Sequence, residues 1–223
     1  MTGTPSPTPP TKWPAWKLGG ATMLTFIALL YLIEILDVVS GHALDGNGIR
    51  PLQERGLWGI LFAPLLHANW GHLISNTVPA LVLGFLVTLT GMARFVWATA
   101  IIWILGGLGT WLLGDIDRCP IGTNHIGASG LVFGWLGFLL VFGWLTRHVW
   151  QIVISLLVLF YYGSILFGAI PVMHGCGGVS WQGHLTGAIA GVLAAYWLSK
   201  PEREARARKK AGSASPPLPG QFG

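Results

Sequence analysis

The sequence has few charged residues: Asp, Glu, Lys and Arg make up only 9% of its 223 residues. Soluble domains carry roughly 25% charged residues, so the composition excludes an ordinary water-soluble domain. Hydrophobic residues make up 52% of the chain, which also contains 12 Trp and 32 Gly. Tryptophan is enriched at membrane interfaces and glycine is tolerated in membrane helices. The chain is therefore predicted to be a membrane protein.

The sequence also lacks a heptad repeat, a solenoid period and a nucleic-acid-binding motif, although its net charge is +5. Most of this positive charge lies in the C-terminal tail, in Lys200, Arg203, Arg206, Arg208, Lys209 and Lys210. A basic tail beside a membrane helix usually marks the cytoplasmic side. We therefore interpret these charges as a topology signal and expect no nucleic-acid partner.

Six apolar segments are predicted to be membrane helices, because lipid cannot satisfy the backbone polar groups of open structures. They cover residues 21–39, 72–94, 95–113, 127–146, 149–170 and 181–199. The first segment is longer than the apolar region of a signal peptide and lacks a convincing cleavage site. It carries Glu34 and Asp37 near its far end, and for Glu34 a position at the outer boundary is favoured over a buried functional one. The shorter apolar piece at 57–64 predicts an interfacial or re-entrant element.

The distribution of basic residues predicts the orientation. If both tails are inside, ten of the 13 Lys and Arg lie on the inner side, which is a strong positive-inside bias. The predicted fold is therefore an all-α polytopic membrane protein, a bundle of six transmembrane helices with both termini cytoplasmic. Residues 1–19 and the basic residues 200–223 are predicted to be disordered cytoplasmic tails, and residues 20–199 form the membrane domain.

Three polar clusters fall on three different predicted helices, around Asn76, Ser129 and His184. Each of these residues lies 16 to 18 positions before a basic residue at the inner end of its helix. At ~1.5 Å per residue, the three heights above the inner boundary are about 24–27 Å. The three polar groups are therefore predicted to share one level, just inside the outer edge of a hydrocarbon core about 30 Å thick.

Small residues follow the polar ones along two of these helices. One stripe contains Gly130, Gly134 and Gly137, and the other contains Gly187, Ala188, Gly191 and Ala195. Such stripes let two helices approach closely, which would bring Ser129 and His184 within hydrogen-bond reach. The alternative is that the glycines only pack helices and the serine bonds to a backbone carbonyl. The third cluster, around Asn76, lies at the same predicted depth as Ser129 and His184, which favours a shared site.

The chemistry of these residues points to nucleophilic catalysis. A serine hydroxyl becomes a good nucleophile when a neighbouring base removes its proton, and neutral histidine does this near pH 7. No membrane-embedded Asp is placed to orient the imidazole, so Ser129 and His184 would form a dyad. His72 and Asn76, one helical turn apart, could donate to the oxyanion, together with backbone N–H groups near Ser129. His67 is expected to hold the preceding loop.

Two other interpretations of the polar residues stay open at this point. A zinc site made from His67, His72 and His184 is the main chemical alternative, although no carboxylate or cysteine joins it. We expect neither this metal nor any cofactor. Cys119 and Cys176 both fall in predicted outer loops, where they could form a disulfide or remain two thiols.

These motifs resemble the rhomboid family of intramembrane serine proteases. Gly127-Ala128-Ser129-Gly130 resembles the family's GxSG nucleophile motif, and His184 with Gly187 and Gly191 resembles its histidine helix. His67, His72 and Asn76 resemble the HxxxxHxxxN pattern of the second helix. The resemblance covers roughly residues 20–199.

The resemblance implies cleavage of transmembrane protein substrates at the outer side of the bilayer. It implies Ser129 as nucleophile, His184 as base, His72 and Asn76 at the oxyanion, and the segment from helix five through loop 171–180 as a gate and cap. The chain departs from the family in two places: Trp58-Gly59 replaces Trp-Arg, and Phe133 replaces a tyrosine that stacks on the histidine. A bacterial plasma membrane is the expected location, and an inactive rhomboid-like protein that binds membrane clients is the alternative.

Overall fold

The computed structural model describes residues 14–116, 123–171 and 178–213, and within these ranges the chain is helical. An isolated antiparallel bridge joins Ile49 to His125. The α-helices of the described part are α1 (Ala15–Val39), α2 (Glu54–Phe62), α3 (Trp70–Leu89), α4 (Met92–Ile101), α5 (Gly107–Leu113), α6 (Ser129–Thr146), α7 (Val149–Tyr162), α8 (Trp181–Leu198) and α9 (Lys200–Ser213). A π-helical segment, Ile102–Gly106, joins α4 to α5, and a 3₁₀ segment, Gly163–Ala169, extends α7.

Five helical stretches of the described chain are long and apolar enough to cross a membrane: α1, α3, the continuous Met92–Leu113, α6 and Val149–Ala169. The chain is therefore a multi-pass integral membrane protein. Helix α8 has 18 residues, but Gln182 and His184 near its start reduce its hydropathy. A sixth span at α8 and the inside location of both termini stay predictions.

Helix α6 is the centre of the bundle. Of its apolar window 67% is buried inside the protein, whereas the windows of the other four spans are 17–39% buried. Trp135, Phe138 and Phe142 are among its fully enclosed side chains. Helix α6, which begins with Ser129, packs against α3, α7 and α8.

Helices α6 and α8 make backbone contact through glycines. A Cβ added at Gly187 would overlap the carbonyl oxygen of Gly130, and one added at Gly191 would overlap that of Gly134. A Cβ at Gly137 would lie 2.5 Å from the carbonyl oxygen of Ala188. The two small-residue stripes predicted from the sequence therefore do face each other.

The π-helical segment ties α8 to the neighbouring span on its other side. The carbonyl oxygen of Gly106 accepts hydrogen bonds from Thr110 Oγ1 at 2.8 Å and from Thr186 Oγ1 at 2.9 Å. The hydroxyls of Thr110 and Thr186 lie 3.0 Å apart. A π-bulge interrupts the regular pattern of hydrogen bonds along an α-helix. The Gly106 carbonyl at its end also accepts a hydrogen bond from a second helix. These buried bonds fix the height of α8 in the bundle.

The connection between α1 and α3 is anchored by two tryptophans of the span Met92–Leu113. Trp103 Nε1 donates to the Ile60 carbonyl at 2.8 Å, and Trp111 Nε1 donates to the Gln53 carbonyl at 2.9 Å. The nine-residue α2 is too short to span, as predicted. Gly59, which stands where the family has arginine, has no room for a Cβ because the Gly48 carbonyl lies against it. The loop is therefore anchored by indole donors.

The prediction of a disordered tail from residue 200 onward is wrong for residues 200–213, which form α9. Arg206 donates to the carbonyls of Leu145 and Thr146 at the C-terminal end of α6. Arg94 forms an ion pair with Glu202. A cation at the C-terminal end of a helix compensates the helix dipole. These basic residues have specific partners, which a count of charges does not reveal.

The N-terminal boundary also differs, because α1 begins at Ala15 and residues 15–19 are helical rather than part of a tail. At the other end of α1, Glu34 is 1% exposed and Asp37 is 2% exposed. The sequence favoured a boundary position for Glu34 over a buried one. Glu34 does lie in the last turns of α1, but its side chain is buried.

Candidate active site

Ser129 and His184 meet at the level where α6 and α8 begin. Ser129 is the first residue of α6, and His184 lies in the first turn of α8. The distance from Ser129 Oγ to His184 Nε2 is 2.9 Å, which is a hydrogen bond. The glycine contacts between the two helices make this approach possible. The predicted meeting of these two side chains is confirmed.

A backbone carbonyl and an aromatic ring orient the imidazole of His184. Its Nδ1 lies 3.0 Å from the carbonyl oxygen of Gly168, in the 3₁₀ segment that follows α7. The carbonyl can only accept, so Nδ1 carries the proton and the Nε2 lone pair faces Ser129. Phe133 stacks on the imidazole with 4.0 Å between ring centroids and an interplanar angle of 8°. Phenylalanine therefore supplies the stacking expected of the family's tyrosine.

The predicted oxyanion residues line the same cavity as the pair. The cavity has a volume of about 570 Å³, and Ser129, His184, His72 and Asn76 all lie on its wall. Asn76 Nδ2 lies 3.1 Å from the His72 carbonyl. Other polar side chains on the wall, which would hold water, are Ser75, Asn124 and Gln182.

Gly127 brings the His72 ring close to the start of α6. Its φ is +122°, a backbone conformation that favours glycine. A Cβ at this position would lie 2.6 Å from His72 Cε1. The ring therefore packs directly on the backbone two residues before Ser129, which explains the glycine at this position of the motif.

His67 holds the turn before Ser129. Its Nε2 accepts a hydrogen bond from the backbone N–H of Ala128 at 3.3 Å, and its side chain is 2% exposed. Burial, and secondarily the charge of His72, lowers the pKa of His67 from 6.5 to about 4. The imidazole is therefore neutral at physiological pH, as an acceptor must be. The sequence predicted that His67 holds the loop that precedes it, whereas its hydrogen bond goes to the segment before Ser129.

This lowered pKa predicts a pH-dependent stability. Between pH 6.5 and about 4 the unfolded chain binds a proton at His67 that the folded chain does not, so stability falls as the pH falls through this window. A shift of this size corresponds to about 3 kcal/mol. Glutamine can still accept the Ala128 hydrogen bond but does not titrate. We expect His67→Gln to lose less unfolding free energy than the wild type between pH 7 and pH 4, as measured by unfolding in detergent micelles.

The difference between the two proteins reports His67 together with its interaction with the charge of His72. Burial also lowers the pKa of His125, and this contribution is present in both. Parallel pH curves for the wild type and His67→Gln would contradict the prediction.

Sequence reasoning missed two residues that position the start of α8. Ser180 caps this helix by accepting the Gly183 N–H at 3.1 Å. His125 Nδ1 lies 2.6 Å from Ser180 Oγ, and His125 Nε2 lies 3.1 Å from the Gly114 carbonyl. A serine before an apolar run is a helix-start signal and could have identified Ser180. No pattern in the sequence links it to His125.

The described residues do not gather His67, His72 and His184 into a set of metal ligands. The rings of His67 and His72 are in contact, with 5.2 Å between centroids, but His184 faces Ser129. Cys119, Cys176 and the middle of the predicted cap, 172–177, lie outside the described residues. The choice between a disulfide and two thiols therefore stays open.

A family model and several individual proteins match this chain in sequence. The Rhomboid domain family model matches residues 54–201. An uncharacterized protein of Mycobacterium tuberculosis is 68% identical over 205 residues, covering 92% of this chain and 85% of that protein. An uncharacterized protein of Mycobacterium leprae is 60% identical over 203 residues, covering 91% and 80%. A putative rhomboid protease of Bacillus subtilis is 33% identical over 103 residues, covering 45% and 46%.

Proposed function

The chain belongs to the rhomboid family, and from this premise we propose that it is an intramembrane serine endopeptidase. Its reaction is the hydrolysis of peptide bonds in or near transmembrane segments of other membrane proteins. The observation that carries the proposal is the 2.9 Å hydrogen bond between Ser129 Oγ and His184 Nε2. No cofactor is required for this chemistry.

The proposed mechanism uses His184 first as a base and then as an acid. Its Nε2 takes the Ser129 proton while Oγ attacks the scissile carbonyl carbon. The tetrahedral intermediate collapses, the C–N bond breaks, and His184 returns the proton to the leaving amine. Water then attacks the acyl-enzyme by the same route and releases Ser129. The Gly168 carbonyl stabilises the protonated imidazole, in the position that an Asp holds in a triad.

The oxyanion would be stabilised at the junction of α3 and α6. His72 and Asn76 lie on the wall of the cavity that contains Ser129, and the Ser129 backbone N–H lies at the start of α6, where helix N–H groups are unpaired. Donors placed before the charge develops are worth more than donors that must reorganise. We propose His72, Asn76 and this N–H as the oxyanion donors.

The proposed substrates are transmembrane proteins that reach the site from the side of α7. Of the five spans, Val149–Ala169 has the least buried apolar window, 17%. Displacing this span to admit a substrate would therefore break fewer contacts than displacing any of the other four. We propose a six-span topology with both termini cytoplasmic, which puts the dyad near the outer face. The mycobacterial relatives support a bacterial plasma membrane as the location.

The test is covalent labelling of the purified, detergent-solubilised protein with a fluorophosphonate probe. We expect the wild type to be labelled, and Ser129→Ala and His184→Ala not to be, because the probe reacts with an activated serine. A known rhomboid protease, labelled in parallel, controls for the probe and the detergent. A folded wild type that resists the probe would instead favour an inactive rhomboid-like protein that binds membrane clients.

A further inference from the structure

The C-terminal end of α1 and the loop after it carry a group of ionisable side chains that the proposed peptidase does not use. This group, called here the α1 cluster, consists of Glu34, Asp37, His42 and Asp45. The ligand atoms of Asp37, His42 and Asp45 all lie within 4.8 Å of one another. His42 Nδ1 is 3.2 Å from Asp37 Oδ2 and 3.5 Å from Asp45 Oδ2. The loop therefore folds back on the end of the helix around one imidazole.

The α1 cluster contains more negative than positive charge. It holds three carboxyl groups, and a protonated His42 could balance only one. Glu34 is 1% exposed, and neither of its oxygens has a hydrogen-bond partner among the described residues. Asp45 Oδ1 is likewise buried without one. The charges of Asp37, Asp45 and His42 act on the Glu34 carboxyl, so Glu34 lies near the other three residues.

A buried carboxylate without a partner is costly, because it loses its hydration and gains nothing in exchange. The hydrogen bond from the Leu44 N–H to Asp37 Oδ1, at 2.6 Å, satisfies one oxygen but supplies no charge. A cation held by Asp37, His42 and Asp45 would offset the excess negative charge of the cluster, including that of the nearby Glu34.

The donor atoms indicate which cation. Imidazole nitrogen together with carboxylate oxygen is a ligand set that Zn²⁺ accepts, whereas Ca²⁺ and Mg²⁺ prefer oxygen alone. Tetrahedral zinc with ligands at about 2.0–2.1 Å separates neighbouring ligand atoms by ~3.3 Å. The two distances from His42 Nδ1 bracket this value. We propose that the α1 cluster binds one Zn²⁺ ion through His42, Asp37 and Asp45, and that the charge of this ion also offsets the nearby buried carboxyl group of Glu34.

Such an ion would connect α1 to a wall of the catalytic cavity. Asp45 lies on the wall of the cavity that contains Ser129 and His184, and its backbone carbonyl accepts a hydrogen bond from Asn124 Nδ2 at 2.8 Å. The metal would therefore fix the loop on which the segment before Ser129 rests. Its role is structural, and it is separate from the His67 and His72 rings.

The test is calorimetric titration of Zn²⁺ into the full-length, tag-free protein in detergent after treatment with a chelator. We expect one ion per chain for the wild type, with affinity reduced at least about tenfold in His42→Asn and in Asp45→Asn. Asparagine tolerates the left-handed backbone of His42, whose φ is +61°. The matched control is His148→Asn, since His148 is exposed and far along the chain from the cluster; it should bind as the wild type does.

A second measurement guards against misfolded variants. Zn²⁺ should raise the unfolding temperature of the wild type and of His148→Asn, and should not raise that of Asp45→Asn, because a ligand stabilises only the state that binds it. Absence of binding to the wild type would overturn the proposal and leave protons to neutralise the carboxylates. Unchanged binding in His42→Asn would also overturn it, by placing the metal at another site, and so would tighter binding of Ca²⁺ than of Zn²⁺.

Discussion

Ser129→Ala and His184→Ala are each expected to lower the rate of peptide-bond cleavage by at least about 10³-fold, and the double variant is expected to be no slower than either single one. The reason is that the two side chains act as one unit through the 2.9 Å hydrogen bond. Without the base, the hydroxyl keeps its proton; without the hydroxyl, the base has nothing to activate. The measurement is kcat/KM on a fluorogenic transmembrane peptide that the wild type cleaves.

His148→Ala is the matched control, because it removes an exposed histidine at the opposite end of α6 and should cleave at the wild-type rate. Unfolding curves must show that all four variants are folded, as the wild type is. If the losses of the two single variants multiplied in the double variant, Ser129 and His184 would be acting independently, and the dyad mechanism would be wrong.

Gly191→Val is expected to destabilise the protein strongly. The Cβ alone would overlap the carbonyl oxygen of Gly134, and backbone atoms of α6 cannot move aside as a flexible side chain can. Overpacking by a few atoms costs about 1–3 kcal/mol, which we expect for Gly191→Ala, and valine adds two more carbons. The helices would separate, and Ser129 would lose contact with His184. Thermal unfolding in micelles and fluorophosphonate labelling together measure both effects.

Gly20→Ala is the matched control, since no atom lies within 4 Å of the Cβ added there in α1. Alanine in a helix is favoured over glycine by roughly 0.5–1 kcal/mol, so this variant should be as stable as the wild type or slightly more stable. Equal unfolding temperatures for Gly191→Ala and the wild type would show that α6 and α8 are farther apart than described.

The sequence predicted the parts of the fold and site that depend on periodicity and depth. Hydropathy identified the five segments that the structure shows as helices long and apolar enough to cross a membrane, because a membrane helix leaves a long apolar run. The spacing of Ser129 and His184 from basic residues put them at one level, and the glycine stripes predicted which helices touch. These signals are local along one helix, so they can be read without knowing the neighbours.

The parts that could not be predicted depend on partners that leave no pattern in the sequence. The acceptor for His184 Nδ1 is a backbone carbonyl, that of Gly168, which any residue could supply. The charges of α9 look like a solvated tail until Arg206 is seen beside the carbonyls that end α6. The burial of Glu34 depends on how the following loop folds back, and hydropathy carries no information on that.

The hydrogen bond from His184 to Gly168 joins two parts of the molecule that differ in packing. Helix α8 is held by glycine contacts and buried threonines, whereas the 3₁₀ segment containing Gly168 has no buried residue. The orientation of His184, the proposed base, thus depends in part on the 3₁₀ segment, which has no buried residue. When that segment frays, Ser129 and His184 keep their places on α6 and α8 and Phe133 still stacks on the imidazole, but Nδ1 loses the carbonyl that accepts its proton. If the protein is the peptidase proposed above, hydrolysis would require the side of the bundle next to α7 to be ordered, and a conformation that opens this side would be inactive.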